Sequence, residues 1–524
     1  MTSGFESPST IAGRRSRAGM SAEMTTNLTS VLIRRRAPAE LLVAAGLLVL
    51  GFGARLTATL KGSGLDGIMY YDEGVNFAAA LGLVHGQLPY RDFLFLHPPG
   101  IVLALAPFAA LAQLTSDASG FVVARLCFMI IGGVNAVLVA RFLLPSGRVA
   151  AVLGGAVYAI FWPAIYSERT VMLQVLANTC LLVSLIAISP AEDPPTKRRL
   201  LISGVLLGLG TVIKIWGFLP LLVLFGWVLV RFDLRRAWLL LLGAMASATA
   251  VCLPFFMAAP ERMWEMVVRD QLRRVPTNSS MIERLTDILG LGHLPLRVTP
   301  LLVVALMAAL GGVVLAWRDT QARPGVLLLV ALVAMLLLTP TWFSHYAALT
   351  APVIAITAGA AGQQLLRLAE KRRSRPLQIG AAGLLLAALL GAALPLALAD
   401  VGERFPRRPL AGALAPSAGC TTSDYITSLI LTDAVSRNLR RGCPLVADLG
   451  GVSHDMAASG GSRRSRGRNA PFQEYVLAYL ASGDRTMVMR FERNSGLSDS
   501  TADAIEAWPV VAASGRFAVR VPQP

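Results

Sequence analysis

The chain has 524 residues, of which 55% are hydrophobic and 15% are charged. A single soluble core needs far fewer apolar residues, so these proportions exclude an ordinary soluble protein and indicate a membrane protein. The net charge of +17 would suit a nucleic-acid partner, but the basic residues stand in short clusters between apolar runs, so membrane topology explains them better and we expect no nucleic acid.

Apolar runs close to the roughly 20 residues needed to cross hydrocarbon recur along the chain, and we count about eleven or twelve. They predict an all-α polytopic membrane protein of transmembrane or re-entrant helices. The runs are 39–60, 98–115, 121–144, 149–166, 171–189, 200–213, 215–230, 237–258, 298–317, 325–341, 344–366 and 377–399.

Residues 1–37 are rich in Ser, Thr, Gly and Arg and have little to bury, which predicts a disordered cytoplasmic tail. The membrane domain follows at 38–399. By the positive-inside rule, the basic clusters that flank the spans are cytoplasmic. They include Arg34–Arg36, Lys197–Arg199, Arg231–Arg236 and Lys371–Arg375.

These clusters place two long loops, 61–97 and 259–297, and the C-terminal region 400–524 outside the cytoplasm. If every apolar run crossed fully, the two termini would share a side, so one run must be re-entrant or interfacial. The candidate is 98–115, because it opens with Pro98-Pro99-Gly100 and such backbone is tolerated at membrane depth where protein covers it. We therefore expect a multi-pass protein of a bacterial-type cytoplasmic membrane.

The region 400–524 changes in composition and contains strand-like runs at 444–447 and 486–489, which predict a small extracytoplasmic α/β domain. Of the five cysteines in the chain, only Cys420 and Cys443 fall in this region. A compartment outside the cytoplasm permits disulfides, so these two cysteines are a candidate pair.

The first outer loop carries the most informative pattern, Tyr70-Tyr71-Asp72-Glu73, followed by His97-Pro98-Pro99. On charge alone, a solvated loop explains the two carboxylates. However, aromatic residues, a proline-defined turn and a histidine accompany them at the membrane surface, and this combination favours a functional site.

The sequence resembles the multispanning glycosyltransferases of the GT-C type, which include protein O-mannosyltransferases and lipid A aminoarabinose transferases. Members have an Asp-Glu pair or a single acidic residue in the first outer loop and an X-Pro-Pro motif before the next apolar segment. Asp72-Glu73 and His97-Pro98-Pro99 match these elements, and the resemblance extends more weakly over 39–399. It implies a hexosyl- or pentosyltransferase that uses a polyprenyl-phosphate sugar donor and a glycan, lipid or protein acceptor in the cell envelope.

A sugar on a polyprenyl phosphate already has a good leaving group, so the enzyme needs a base for the acceptor hydroxyl and cations for the departing phosphate. The resemblance implies Asp72 as the base. Glu73 would orient the acceptor or Asp72, and His97 would hydrogen-bond phosphate or ligate a metal. No cofactor is required. A divalent metal is compatible with the sequence, but no close spacing of metal ligands demands one.

Two cations are candidates for holding the phosphate. Lys214 lies between two apolar runs, where a lysine costs roughly 3 kcal/mol and usually faces a cavity or a partner; the alternative is that it snorkels to the interface. Arg169 falls at an outer turn where the resembling family commonly has a basic residue. A local pair with Glu168 explains Arg169 equally well.

Two later elements complete the candidate site. His345-Tyr346 opens a span from its outer end, like the Arg-Tyr or His-Tyr element of the resembling family, although an interfacial histidine is the simpler explanation. The second outer loop contains Arg269 and the pair Arg273-Arg274, which suit phosphate or sugar contacts and also lipid headgroups.

Other functional classes remain open. A transporter or lipid flippase would also use charged residues in the membrane and outer loops, although the sequence shows no repeated halves. The chain also lacks a Walker motif and a GxGxxG fingerprint, which argues against an ATP-driven pump. A catalytically inactive member of the resembling family is a further alternative.

Overall fold

The structure is a computed structural model that describes residues 39–189, 194–274, 276–294, 299–460, 466–493 and 496–523. The predicted disordered tail at 1–37 lies outside the described residues. The remainder is mostly helical, with one small sheet near the C-terminus.

Among the described residues, six helices are long and apolar enough to span a membrane, and a pair bent by 54° makes a seventh if it counts as one span. The six are Ala39–Lys61, Asp117–Ser146, Leu234–Ala258, Pro300–Trp317, Ser344–Lys371 and Arg375–Leu398, and the bent pair is Arg148–Ile160 with Trp162–Glu168. Shorter helices fill the bundle at Gly100–Leu114, Leu173–Ala187, Lys197–Ile213, Ile215–Arg231 and Arg323–Leu338. The helical, multi-pass architecture expected from the apolar runs is thereby confirmed.

Helix starts follow local side-chain chemistry. The side chains of Ser116, Thr196 and Asp233 each accept a hydrogen bond from the backbone N–H three residues later. Such capping satisfies one of the free N–H groups at a helix N-terminus and is worth about 1 kcal/mol. Thr196 and Asp233 directly precede helices whose first turns are basic. The helix starts therefore coincide with the basic clusters that flank the spans.

Close helix packing depends on small residues. Lys197–Ile213 and Leu234–Ala258 approach so closely that a Cβ on Gly204 would collide with the Leu240 carbonyl, and one on Gly243 would collide with the Leu201 carbonyl. In a membrane, where lipid tails are as apolar as leucine, such backbone proximity is a main source of helix association. This packing holds the helix Lys197–Ile213 in the bundle, and Lys214 directly follows that helix.

The helix Gly100–Leu114 is one of the shorter apolar helices. At its start, Gly100 packs against the Val212 backbone near Lys214. At its other end, Gln113 Nε2 donates to the Val84 carbonyl in the first outer loop, 3.1 Å away. That this segment is re-entrant stays a prediction.

The outer segments are short helices that meet at one end of the bundle. Those between spans are Tyr71–Val84, Pro260–Trp264, a π-helical turn Glu265–Arg269, Asp270–Leu272 and Met281–Ile288. Those near the C-terminus are Arg407–Leu414, Ile426–Leu431, Val435–Arg440, Leu449–Gly460, Ala470–Ala481 and Asp499–Glu506, with a 3₁₀ turn at Arg466–Arg468.

The C-terminal sheet has four strands, β1 (Thr421–Ser423), β2 (Arg485–Val488), β3 (Val510–Ser514) and β4 (Phe517–Arg520), in the order β1-β2-β4-β3. β1 and β2 are parallel, and the other pairs are antiparallel. The predicted strand near 486–489 is confirmed as β2.

The predicted strand at 444–447 is wrong, because this segment pairs with no neighbour and is irregular. Its apolar residues serve tertiary packing instead. Leu445 and Ala447 are buried in the same core cluster as the outer helix Tyr71–Val84, and Leu445 fills the space beside Gly82.

The C-terminal region packs directly onto the outer loops. Ile68 and Glu403 form an isolated β-bridge, and the Asp117 carboxylate accepts hydrogen bonds from the Ser436 backbone and hydroxyl. Cys420 and Cys443 form a disulfide with Cα atoms 5.9 Å apart, as expected from their isolation in this region. These contacts bring C-terminal residues to the face of the bundle where the candidate site lies.

Candidate active site

Asp72 lies in the first turn of the outer helix Tyr71–Val84, where a negative charge is favourable to the helix dipole. Its side chain is 37% exposed. Burial raises the pKa of Asp72 above its usual value, and the nearby Asp448 carboxylate raises it further, whereas Arg490, Arg274 and Lys214 oppose this shift. The group thus combines an accessible carboxylate with a raised pKa, which suits a general base.

Glu73, the adjacent carboxylate, has a different environment and is fully buried. It forms an ion pair with Arg125, with N–O distances of 3.0 and 2.6 Å, and accepts a 2.6 Å hydrogen bond from the Thr170 hydroxyl. It also accepts from the backbone N–H groups of Met69 and Tyr70. Glu73 therefore cannot contact an acceptor here and instead fixes the start of the helix that carries Asp72.

His345 and Tyr346 meet Asp72 from the start of a late membrane helix. His345 Nε2 lies 3.7 Å from Asp72 Oδ2, and its Nδ1 is buried without a hydrogen-bond partner in the described part of the chain. The Tyr346 hydroxyl lies 3.3 Å from Arg274 Nη1, which donates to it. The His-Tyr pair predicted as a site element thus lies beside the predicted base.

Lys214 is 4% exposed and stands at the break between two helices, where its backbone is extended. Its ammonium group lies 5.0 Å from the Trp216 ring centre and 4.6 Å from that of Tyr346. Both distances suit cation–π attraction. Since Lys214 also acts electrostatically on Asp72, it faces the site and does not snorkel to the interface.

His97 belongs to the same group of residues. Burial and the nearby charges of Lys214 and Arg274 hold the pKa of His97 well below its usual range, so the ring is a neutral hydrogen-bonding group. Its backbone is fixed by the Tyr90 hydroxyl, which donates a 2.6 Å hydrogen bond to the His97 carbonyl. Tyr90 itself adopts a φ of 70°, an uncommon conformation for a tyrosine, and this turn orients the His-Pro-Pro segment.

Of the second outer loop's arginines, the structure brings Arg274 to this point. Its charge lowers the pKa of Asp72 and acts on His97. We call Asp72, Lys214, Arg274, His345 and Tyr346 the Asp72 cluster. Arg274 adjoins Arg273 in the sequence, and nothing in the local pattern distinguishes the two.

Two predicted phosphate contacts are not placed in the cluster. Arg169 is fully buried, donates to the Val401 carbonyl at 3.0 Å, and stacks near Tyr166; its Nε and Nη2 have no partner among the described residues. Its suggested pairing with Glu168 is also wrong, because Glu168 forms a buried ion pair with Arg55.

Arg269 is the second such residue. It forms an ion pair with Glu265 one helical turn earlier, and its side chain is 39% exposed. Of the arginines that the sequence offered in this loop, Arg274 contacts the cluster through the Tyr346 hydroxyl, whereas Arg269 pairs with Glu265.

The C-terminal region contributes Asp448 and Arg490. Asp448 Oδ1 accepts a 3.0 Å hydrogen bond from the Tyr71 hydroxyl, and the Arg490 guanidinium carbon lies 3.3 Å from the centre of the Tyr71 ring. Tyr71 directly precedes Asp72, so both charges reach the base. Asp448 and Arg490 are far from Asp72 in the sequence and belong to no recognisable motif, so sequence analysis did not find them.

Within the described residues, no group of three or more His, Cys, Asp and Glu side chains is arranged to hold a metal ion. The expectation of a possible divalent metal therefore gains no candidate ligand set. Positive charge near Asp72 comes from Lys214, Arg274 and Arg490.

An apolar recess adjoins the cluster within the membrane bundle. Its walls include Asn178, Gly210, Trp216, Leu332 and Leu349. Trp216 is shared, because it also contacts the Lys214 ammonium group. Trp216 thus contacts both the cationic site and the apolar recess.

Comparison with known proteins identifies a family and similar folds. Residues 95–340 match the model of Glycosyltransferase family 87. The whole fold resembles ArnT from Cupriavidus metallidurans, solved bound to undecaprenyl phosphate, with a TM-score of 0.55 and 16% identity over 92% of this chain and 99% of that one.

A second similar structure is the archaeal oligosaccharyltransferase AglB from Archaeoglobus fulgidus, solved with an inhibitory peptide and a dolichol-phosphate. Its TM-score is 0.55, with 12% identity over 86% of this chain and 69% of that one. No curated protein sequence gives a significant match. Together with the family match, these similarities confirm the resemblance to GT-C type glycosyltransferases that the outer-loop motifs indicated, and they establish the GT-C fold.

Proposed function

We propose that this protein transfers a sugar from a polyprenyl-phosphate donor to a hydroxyl group of a cell-envelope acceptor, on the extracytoplasmic side of the membrane. The observation that carries the proposal is the placement of one accessible carboxylate, Asp72, against Lys214 and Arg274. A base and cations for a leaving phosphate are the two groups that this reaction needs.

In the proposed reaction, Asp72 accepts the proton of the acceptor hydroxyl while the acceptor oxygen attacks the anomeric carbon of the sugar. The bond between that carbon and the phosphate oxygen breaks, and polyprenyl phosphate leaves with one additional negative charge. Lys214 and Arg274 stabilise that charge, and neutral His97 is available for a hydrogen bond. The reaction so written requires no metal ion or other cofactor.

The polyprenyl chain would leave the site along the apolar surface beside Trp216, which adjoins Lys214. The similar structures support this donor class, since ArnT was solved with undecaprenyl phosphate and AglB with a dolichol-phosphate. A prenyl chain is wholly apolar, and each buried CH₂ group contributes about 0.8 kcal/mol to binding.

Sidedness rests on charge and on the disulfide. Lys197 begins the helix that ends just before Lys214, and Lys371 ends the helix that begins beside His345. These basic clusters therefore lie at the opposite end of the bundle from the Asp72 cluster, the end that the positive-inside rule assigns to the cytoplasm. The Cys420–Cys443 disulfide lies near the other end and is typical of an oxidising compartment. Both observations favour an active site and a C-terminal region outside the cytoplasm.

The test uses purified protein in lipid nanodiscs with a panel of radiolabelled polyprenyl-phosphate sugars and membrane acceptors. We expect one donor to yield labelled acceptor and free polyprenyl phosphate. A lipid flippase, the rival function, would instead move labelled lipid across a proteoliposome without cleaving it. Lipid movement without cleavage by any donor would reject the proposal.

A further inference from the structure

A second group of cations, Arg490 and Arg466, comes from the C-terminal region and lies next to Tyr71, the residue before Asp72. Arg490 stacks on the Tyr71 ring with its guanidinium carbon 3.3 Å from the ring centre. Its Nη1 is buried and has no hydrogen-bond partner among the described residues. A buried, unpaired guanidinium nitrogen is costly, and an anionic ligand would satisfy it.

The position of Arg490 is set by the backbone around it. The Asp424 carboxylate, which is 1% exposed, accepts hydrogen bonds from the backbone N–H groups of Met489, Arg490 and Phe491 at 2.9, 2.8 and 2.6 Å. These three bonds hold the chain where it leaves β2. Arg490 is thus presented on rigid backbone, as a binding residue requires.

Arg466 stands beside Arg490. Its Nε donates to the Ser453 hydroxyl at 2.9 Å and its Nη2 to the Gly450 carbonyl at 3.3 Å. The two cations lie close together, because both guanidinium groups lie near the Phe491 ring, at 5.6 and 5.3 Å from its centre, and both border Gly450. Burial and the charge of Arg490 lower the pKa of Arg466. The Asp448 carboxylate is a further side-chain contact of Tyr71. It already accepts hydrogen bonds from the Tyr71 hydroxyl and from the Gly451 backbone N–H.

His454 links this group to the Asp72 cluster. Burial lowers its pKa to about 3, and the charges of Arg274, Arg466 and Arg490 contribute in that order. The charges of three arginines from two parts of the chain therefore act on one imidazole. The donor phosphodiester carries a single negative charge and is accounted for by Lys214 and Arg274, so the charge of Arg466 and Arg490 is available to a different anion.

We propose that Arg490 and Arg466 form an acceptor subsite that binds an anionic group, a phosphate or carboxylate, of the molecule whose hydroxyl Asp72 deprotonates. This inference rests on the proposed function and adds the chemical class of the acceptor. Bidentate guanidinium pairing would orient such a group. Because Tyr71 joins Arg490 to Asp72, binding there would bring a hydroxyl of the same molecule to the base.

The first test measures binding of inorganic phosphate to the full chain in nanodiscs of zwitterionic lipid, with polyprenyl phosphate at saturation to fill the donor site. We expect wild-type protein to bind inorganic phosphate still, and Arg490→Gln to bind it at least tenfold more weakly. Arg493→Gln is the matched control, because Arg493 is paired with surface acids and its side chain is 37% exposed. It should bind as the wild type does.

Several results would overturn the inference. They are the absence of phosphate binding once polyprenyl phosphate is present, equal binding by Arg490→Gln and the wild type, and competition by anionic phosphatidylglycerol in the nanodisc. The last result would identify a bilayer headgroup as the occupant. Failure of polyprenyl phosphate to bind would count against the proposed function instead, so the two failures are distinguishable.

A kinetic test follows where an acceptor is known. Arg490→Gln should raise KM for an anionic acceptor by about tenfold or more and leave KM for the donor unchanged. Arg490→Lys should restore part of the loss, because it keeps the charge without the planar fork. An equal loss with donor and acceptor would indicate a structural role and contradict the assignment.

Discussion

The carboxylate of Asp72 lies 3.7 Å from Nε2 of His345, so the first outer helix and the start of a late membrane helix meet at one point. Lys214 reaches the same point from a break between two other helices, and its ammonium group lies against Tyr346. The cluster therefore depends on the assembled bundle and cannot form from any single loop.

The first prediction concerns pH. Asp72 acts as a base only when ionised, so activity should fall as pH drops through its raised pKa. Asp448→Asn removes a negative charge that raises this pKa, so the acid limb of the kcat/KM profile should move to lower pH. Asp66→Asn, at an exposed position in the same loop, is the control. An unchanged acid limb in Asp448→Asn would contradict the assignment of Asp72 as the titrating base.

The second prediction separates two arginines of the second outer loop. Arg274 lies in the Asp72 cluster, whereas Arg269 pairs with Glu265. Arg274→Gln should reduce kcat by roughly 10²-fold, the loss typical of one group that stabilises developing charge. Arg269→Gln should stay within about twofold of the wild type, a change near the uncertainty of such kinetics. The reverse order, measured by sugar transfer under donor saturation, would return the phosphate role to Arg269.

The third prediction concerns Glu73, which is buried in an ion pair with Arg125. Removing one partner of a buried pair typically costs about 3–5 kcal/mol, because the other charge is left unpaired. Glu73→Ala should therefore lower the thermal unfolding midpoint in detergent strongly, whereas Asp72→Asn should leave it nearly unchanged. Equal midpoints for the two variants would show that Glu73 has no structural role.

The fourth prediction concerns the disulfide. Cys420 and Cys443 are 23 positions apart, and the chain-entropy model gives roughly 3 kcal/mol for closing such a loop. Replacing both with serine should destabilise the C-terminal region, and limited proteolysis should detect earlier cleavage there. Reduction of the wild type should have the same effect. A double-serine variant as resistant as the oxidised wild type would exclude a stabilising role.

The sequence identified several residues of the site, but it did not show which side chains each of them contacts. Lys214 was identified because a charged group in apolar surroundings is expensive and usually faces a site, and His345 because His345-Tyr346 matches an element of the resembling family. Asp72 and Glu73 are adjacent, yet one helical step turns Glu73 toward Arg125 and leaves Asp72 accessible. Periodicity within a short outer helix does not reveal which of the two is buried.

Contacts made by distant segments were beyond the sequence. Arg490 reaches Asp72 only because the Asp424 carboxylate holds its backbone and because the C-terminal region folds onto the outer helix. Arg169 shows the converse error, since its position at an outer turn suggested access, but the turn is covered and the guanidinium contacts the Val401 carbonyl. For both Arg490 and Arg169, segments remote in sequence determine where the side chain lies and what it contacts.

The central claim is that Asp72 is the base for sugar transfer, and its most direct test is the turnover of Asp72→Asn with a defined polyprenyl-phosphate donor. The amide keeps the shape of the side chain but cannot accept the proton of the acceptor. We expect kcat to fall by about 10²- to 10⁴-fold with donor binding nearly unchanged, while Asp66→Asn retains full activity. Transfer by Asp72→Asn at close to the wild-type rate would contradict the mechanism.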